Sequence, residues 1–244
     1  MTYCLALRLD EGLLLLSDTR TNAGVDNVST YRKMHVLQPA PDRAFVLQSA
    51  GNLATTQEVL DRIDRDLETP GDHESLATVG HLFEAALYIG RLSREVVAEH
   101  AAALSAVRAD GTATFILGGQ IKGARPDLFL VYPEGNYIRA SDERPFLQIG
   151  ETKYGKFWLE LAVRTKVDLE VAAKIALGSM LSTAHANLSV GPPYDLAVYR
   201  NGALGFEEYR IEADSAYLDE LRTIWVRHLI AAIDELPPIS QAKT

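Results

Sequence analysis

The residues with chemistry to offer cluster in the first fifty positions: Thr2 behind the initiator methionine, Asp18 in Ser17-Asp18-Thr19-Arg20, Lys33, and Gly51 in Ser49-Ala50-Gly51-Asn52. A threonine hydroxyl is a poor nucleophile until a nearby base takes its proton, and a chain that begins with Thr carries such a base in its own α-amine. A free α-amine has a pKa of about 7.7–8.0, so a substantial part of it is neutral near physiological pH. This chemistry requires that Met1 be removed, because Thr2 nitrogen is otherwise an amide. Lys33 falls in an apolar, strand-like stretch, where an ammonium is costly to bury unless an acid partners it, and Asp18 is the candidate partner. A cation beside Thr2 would keep the amine neutral and lower the pKa of the hydroxyl. The pair also reads as an exposed salt bridge, worth little. Gly51 ends a strand just before a helix. Either its N–H faces the oxygen of a substrate carbonyl as negative charge develops there, or the glycine only permits a tight turn.

Other chemistries find less support. The histidines at 35, 73, 81, 100, 185 and 228 show neither HExxH nor Cys/His zinc spacing, so no metal is expected. His35 alternates with Lys33 along a strand and is assigned no role. There is no phosphate-binding loop of the G-x-x-x-x-G-K-[ST] type and no dinucleotide fingerprint, so no cofactor is expected and any ATP-driven unfolding would belong to a separate ATPase. Gly118-Gly119 reads as a bulge or a close backbone approach. Cys4 is the chain's one cysteine, has no internal disulfide partner, and reads as a small buried residue.

The elements that must position these residues are legible from periodicity. Thr2–Leu9 and Leu13–Asp18 read as an opening hairpin around Asp10-Glu11-Gly12. Thr21–Thr30 is polar and reads as a loop, and Lys33–Leu37 and Ala44–Ser49 are strands around a turn at Pro39–Arg43. Helical spacing of Val59, Leu60, Ile63 and Leu67 predicts a helix from Asn52, and a second is predicted from about Ser75 to Leu104. Strand character returns at Thr112–Gln120, Asp127–Tyr132, Tyr137–Ala140 and Pro145–Ile149. Helices are predicted over Lys153–Val163 and Leu169–Ala186, a hairpin of Tyr194–Tyr199 with Leu204–Glu208 around Asn201-Gly202, and a closing helix over Ser215–Glu235. Such segregated blocks argue for α+β layers rather than a parallel βαβ sheet.

With 244 residues, 47% hydrophobic and 23% charged, the chain suits one substantial domain spanning 1–244. A formal charge of −9 disfavours nucleic acid or an anionic lipid surface as the main partner. No apolar run approaches the roughly 20 residues of a membrane span. Arg8 and Asp10 sit where a signal peptide would need an apolar core, so cytoplasmic residence is the expectation.

Taken in order and spacing, Thr2 on a strand, Ser17-Asp18-Thr19-Arg20, Lys33 and Ser49-Ala50-Gly51-Asn52 resemble the proteasome β-subunit pattern. Within that superfamily the opening Met-Thr-Tyr-Cys, the stretch Thr21–Asn27 and Gly150-Glu151-Thr152-Lys153-Tyr154-Gly155-Lys156 look like Anbu, a bacterial proteasome homologue. The resemblance covers nearly the whole chain. It implies a four-layer αββα sandwich and hydrolysis of amide bonds in a peptide or unfolded-protein substrate through a threonyl ester. It also implies assembly into a homo-oligomeric ring or open spiral ring. Carried over, Thr2 would be nucleophile and base, Asp18 would orient Lys33, Lys33 would tune Thr2, Gly51 would donate to the oxyanion, and Arg20 would give structural support. The chain also departs from the pattern. Gly150-Glu151-Thr152 stands where proteasome subunits carry Gly-Ser-Gly, so that Glu151 either replaces the serine holding the terminal amine or simply favours a helix N-terminus. Asn187-Leu188-Ser189-Val190-Gly191 stands for Asp-x-x-Ser-Gly, losing the acid and altering the spacing around Ser189. The departures leave two other readings open: acyl transfer or hydrolysis of one specialised small peptide, and an assembly subunit without catalysis.

Overall fold

A computed structural model describes residues 1–22, 28–69 and 73–242. The sandwich of the sequence expectation is present. One antiparallel sheet is ordered β10-β1-β2-β11-β12, from Phe146–Gly150, Tyr3–Leu9, Gly12–Asp18, Tyr194–Arg200 and Glu207–Ile211. The other is ordered β5-β6-β7-β8-β9, from Met34–Ala40, Arg43–Gly51, Ala113–Ile121, Asp127–Val131 and Tyr137–Arg139.

Strand alternation sorts the apolar residues into three cores. On β1, Tyr3, Leu5 and Leu7 point to a helix layer, while Cys4 and Ala6 point between the sheets. On β2, Leu14 and Leu16 take the first direction and Leu13 and Leu15 the second. The outer helices on this side are α3 (Lys153–Ala162), α4 (Leu169–Ala186) and α5 (Ala216–Asp234). On β6, Phe45 and Leu47 pack against α1 (Leu53–Glu68) and α2 (Leu82–Val107), while Ala44 and Val46 meet the facing sheet. Both faces of both sheets are therefore covered, which explains why β2 is buried along its whole length.

Several boundaries differ from expectation for local reasons. Lys33 lies just before its strand rather than inside it, and its carbonyl accepts a hydrogen bond from Ser49 N–H at 2.9 Å. The segment expected as the polar loop Thr21–Thr30 carries two short paired strands, β3 (Arg20–Asn22) and β4 (Val28–Thr30); positions 23–27, part of the Anbu-like stretch, lie outside the described residues. Helix α2 begins at Leu82, not Ser75, because Ser75–Thr78 closes a turn with its own side chains and His81 with Glu84 forms a capping box. The last hairpin pairs Glu207–Ile211 rather than Leu204–Glu208: Leu204 takes a left-handed φ of 51° and its N–H donates to the Tyr199 hydroxyl, lengthening the connection beyond a two-residue turn.

Candidate active site

The start of β1, the end of β2 and the residue preceding β5 converge on one buried ion pair. Lys33 Nζ donates to Asp18 Oδ1 at 2.7 Å and to the Arg20 carbonyl at 2.6 Å, with the Met1 carbonyl at 3.4 Å. Asp18 is fully buried and also accepts from Tyr3 N–H at 2.9 Å and from Gly191 N–H at 3.3 Å. A carboxylate removed from water but given three donors meets the condition under which a buried charge is tolerated. The exposed salt bridge of the alternative reading is thereby excluded, because both partners are almost wholly shielded. Burial pushes the Asp18 carboxyl above the usual carboxylate range, while the Lys33 ammonium and the two backbone donors pull it back. Burial, with the Asp18 charge added to it, pushes the Cys4 thiol far up, so the neighbouring sulfur stays an inert protonated thiol.

Thr2 lies between the two backbone groups bonded to this pair, the Met1 carbonyl to Lys33 and the Tyr3 N–H to Asp18. Its carbonyl accepts from Glu151 N–H at 2.7 Å. The Glu151 side chain is buried and accepts from Asn187 Nδ2 at 3.0 Å, while Asn187 Oδ1 accepts from Ser189 N–H at 3.0 Å. The two departures from the proteasome pattern thus touch each other. Ser189 contributes its backbone N–H to that arrangement. Arg20 acts through two groups: its carbonyl holds Lys33, and its guanidinium donates to the Leu188 carbonyl at 2.9 Å, tying β3 to the segment after α4.

Gly51 and Gly150 both line a cleft of about 650 Å³, together with Asn52, Thr112, Thr114, Gln148 and Thr152. Gly51 has φ 112°, and a Cβ there would lie 2.5 Å from the Thr112 carbonyl oxygen, so the tight turn demands glycine whatever its N–H does. Asn52 caps α1 by accepting from Thr55 N–H at 3.1 Å.

One part of the site carried no signal in the sequence. The Tyr3 hydroxyl accepts from Gln148 Nε2 at 2.6 Å and is 2.7 Å from Ser179 Oγ, which donates to the Gly155 carbonyl at 3.0 Å. Burial pushes the Tyr3 phenol up to about 12, against the pull of Ser179 and Gln148. This buried chain fixes the first residue of β1 to α3 and α4, and with it the backbone leading into Thr2. Only the apolar alternation of β1 was readable beforehand; hydrogen bonds spanning more than a hundred residues were not.

No family model and no curated protein sequence matches the chain. Solved structures do match over nearly its full length. It is 41% identical to Anbu (ancestral beta-subunit) from Yersinia bercovieri, covering 97% of this chain and 99% of that one with a TM-score of 0.90. It is 42% identical to an Anbu (Gly-1) mutant from Hyphomicrobium sp. strain MC1, over 98% and 99% with a TM-score of 0.89. It is 40% identical to the Anbu of a helical assembly from Pseudomonas aeruginosa, over 97% and 98% with a TM-score of 0.92. With identity of this order sustained from end to end on the same proteasome-like N-terminal nucleophile fold, the chain belongs to the Anbu family.

Proposed function

We propose that this chain is a threonine-type amide hydrolase, acting on peptides or unfolded protein in the cytoplasm, with Thr2 as nucleophile once Met1 has been removed. The observation that carries the reading is the buried Asp18–Lys33 pair beside the residue that becomes the N-terminus. The freed α-amine takes the Thr2 hydroxyl proton as Oγ1 bonds to the substrate carbonyl carbon. The oxygen of that carbonyl gains negative charge on the side of the Gly51 N–H. The ammonium returns the proton to the departing nitrogen as the C–N bond breaks, leaving a threonyl ester. Water then attacks the ester, the amine accepting a proton from it, and the acid is released with Thr2 restored. Lys33 disfavours a second positive charge on the amine and favours the alkoxide. Glu151, held by Asn187, stands at the position where proteasome subunits carry a serine, and in this reading it takes that serine's part in seating the terminal amine.

Self-association is part of the same reading. A relative of the chain occurs as a helical assembly, and α5 leaves Ile230 and Ile233 more than half exposed. A ring or open spiral ring would cover such a face and confine Thr2 to a restricted chamber.

The test is intact-mass spectrometry of purified protein before and after a β-lactone or peptide epoxyketone. The expected result is a chain beginning at Thr2 that gains one adduct, lost in Thr2→Ala. A Thr2-started chain that gains no adduct would leave only the reading of a non-catalytic assembly subunit.

A further inference from the structure

The cleft beside Gly51 and Gly150 does not end there. A second depression of about 310 Å³ shares Leu130, Tyr132, Gln148 and Thr152 with it, so the two form one continuous groove. Its character changes along its length. The near part has Asp110 as its one charged lining residue, whereas the far part is lined by Arg139, Arg144 and Lys156 and by no carboxylate. In a chain of net charge −9 this is a local reversal of sign. Two of the three cations have acidic contacts outside the groove. Arg139 pairs with buried Asp127, which Arg8 also approaches at 3.9 Å, and Arg144 lies 3.5 Å from half-exposed Glu160. Lys156 has no carboxylate within salt-bridge distance among the described residues, and it rides the first turns of α3, whose N-terminal end adds positive partial charge.

Strand register sets the scale. Gly150 pairs with Tyr3 next to Thr2, and Phe146, which lines the far depression, lies at the other end of β10. At about 3.3 Å per residue this separation is roughly 13 Å, the reach of three to four residues of extended peptide.

We propose that the far part of the groove, formed by Arg144 and Lys156 with Arg139 beside them, is a subsite for a carboxylate three to four residues from the bond that Thr2 attacks. The carboxylate is an acidic side chain or a chain terminus of a peptide substrate. The proposal rests on the reading of Thr2 as an amide-cleaving nucleophile, but its test is separable from that reading. Binding is measured by fluorescence anisotropy to the Thr2→Ala protein, using matched short peptides that carry Glu, Gln or Lys at that distance, each with a free or an amidated C-terminus. Glu or a free terminus should bind at least tenfold tighter than the neutral peptide, and the Lys peptide weakest. The preference should shrink to within twofold in the double variant Arg144→Gln, Lys156→Gln. Both changes are at exposed side chains, and a thermal melt checks that the fold is kept. Comparison of the Glu and free-terminus peptides identifies which carboxylate is taken. Equal affinities, no binding, or a preference that survives in the double variant overturns the subsite. β-Lactone labelling of the Thr2-containing protein is scored separately: its failure removes the hydrolase reading while the anisotropy result still decides the subsite.

Discussion

At the scale of single residues, Asp18 is where the proposed activity and the stability of the fold are expected to part. Its carboxyl is held above the usual carboxylate range by burial, so its folded-state pKa exceeds its unfolded value. A group of this kind contributes stability that is complete below the unfolded pKa and is lost as pH rises through the folded one. Acidification therefore protonates Asp18 and unpairs Lys33 without destabilising the fold through this group. Labelling of Thr2 should fall on the acid side at a pH above the ordinary carboxylate range while the melting temperature is still unaffected. Labelling that persists down to the pH of unfolding would refute the coupling. Removal of the partner acts differently: Lys33→Ala strands a fully buried carboxylate and should cost about 3–5 kcal/mol in denaturant unfolding, together with the labelling itself.

At the scale of elements, the junction of β10 with β1 holds Thr2 in place. Gly150 has φ 82°, and a Cβ there would lie 2.0 Å from the Thr2 carbonyl oxygen. Gly150→Ala should cost about 1–3 kcal/mol in backbone strain, displace the start of β1, and slow labelling at least tenfold. Gly123→Ala, with φ 88° but nothing within 4 Å, carries the strain alone and should leave labelling unchanged. Equal labelling rates in the two variants would show that Thr2 is not positioned through Gly150. This scale also marks the limit of what the sequence discloses. Alternation on β1, β2 and β6 is local, and it placed Thr2, Asp18 and Gly51 at the ends of the right strands, while Lys33, expected in a strand, precedes β5 by one residue. The start of α2 was missed because Leu76 and Val79 continue an apolar pattern that a Ser75–Thr78 turn interrupts through side-chain hydrogen bonds. The network of Tyr3, Gln148 and Ser179 was missed because its members become neighbours only when sheet and helices close. Asn187 could be read as a departure from a family pattern, but not as the partner of Glu151.

At the scale of the whole molecule, α5 is a helix with only Leu218 fully buried, against a groove of about 660 Å³ between it, α3 and α4. Trp158 and Trp225 meet edge to face there, with Val226, Ile230 and Ile233 along the rim. An apolar face of this extent on an isolated chain calls for a partner surface. Ile230→Asp should weaken self-association at least tenfold, about 1.4 kcal/mol, as read by sedimentation velocity, without lowering the secondary-structure content. Association unchanged by the substitution would place the contact on another face.

The lysine at the centre of the site makes one further point about order in time. An ammonium has three protons to give, and those of Lys33 are directed at Asp18, at the Arg20 carbonyl and, more distantly, at the carbonyl of Met1. The first two acceptors are permanent parts of the fold; the third would leave with Met1 if it is removed as proposed. On the proposed reading, excision of Met1 would do two things in one step: unmask a base and vacate one hydrogen-bonding direction of the cation beside it. Until then Lys33 is engaged by one carboxylate and two backbone carbonyls, so that on the proposed reading the synthesis of the chain and the arming of its nucleophile are separate events.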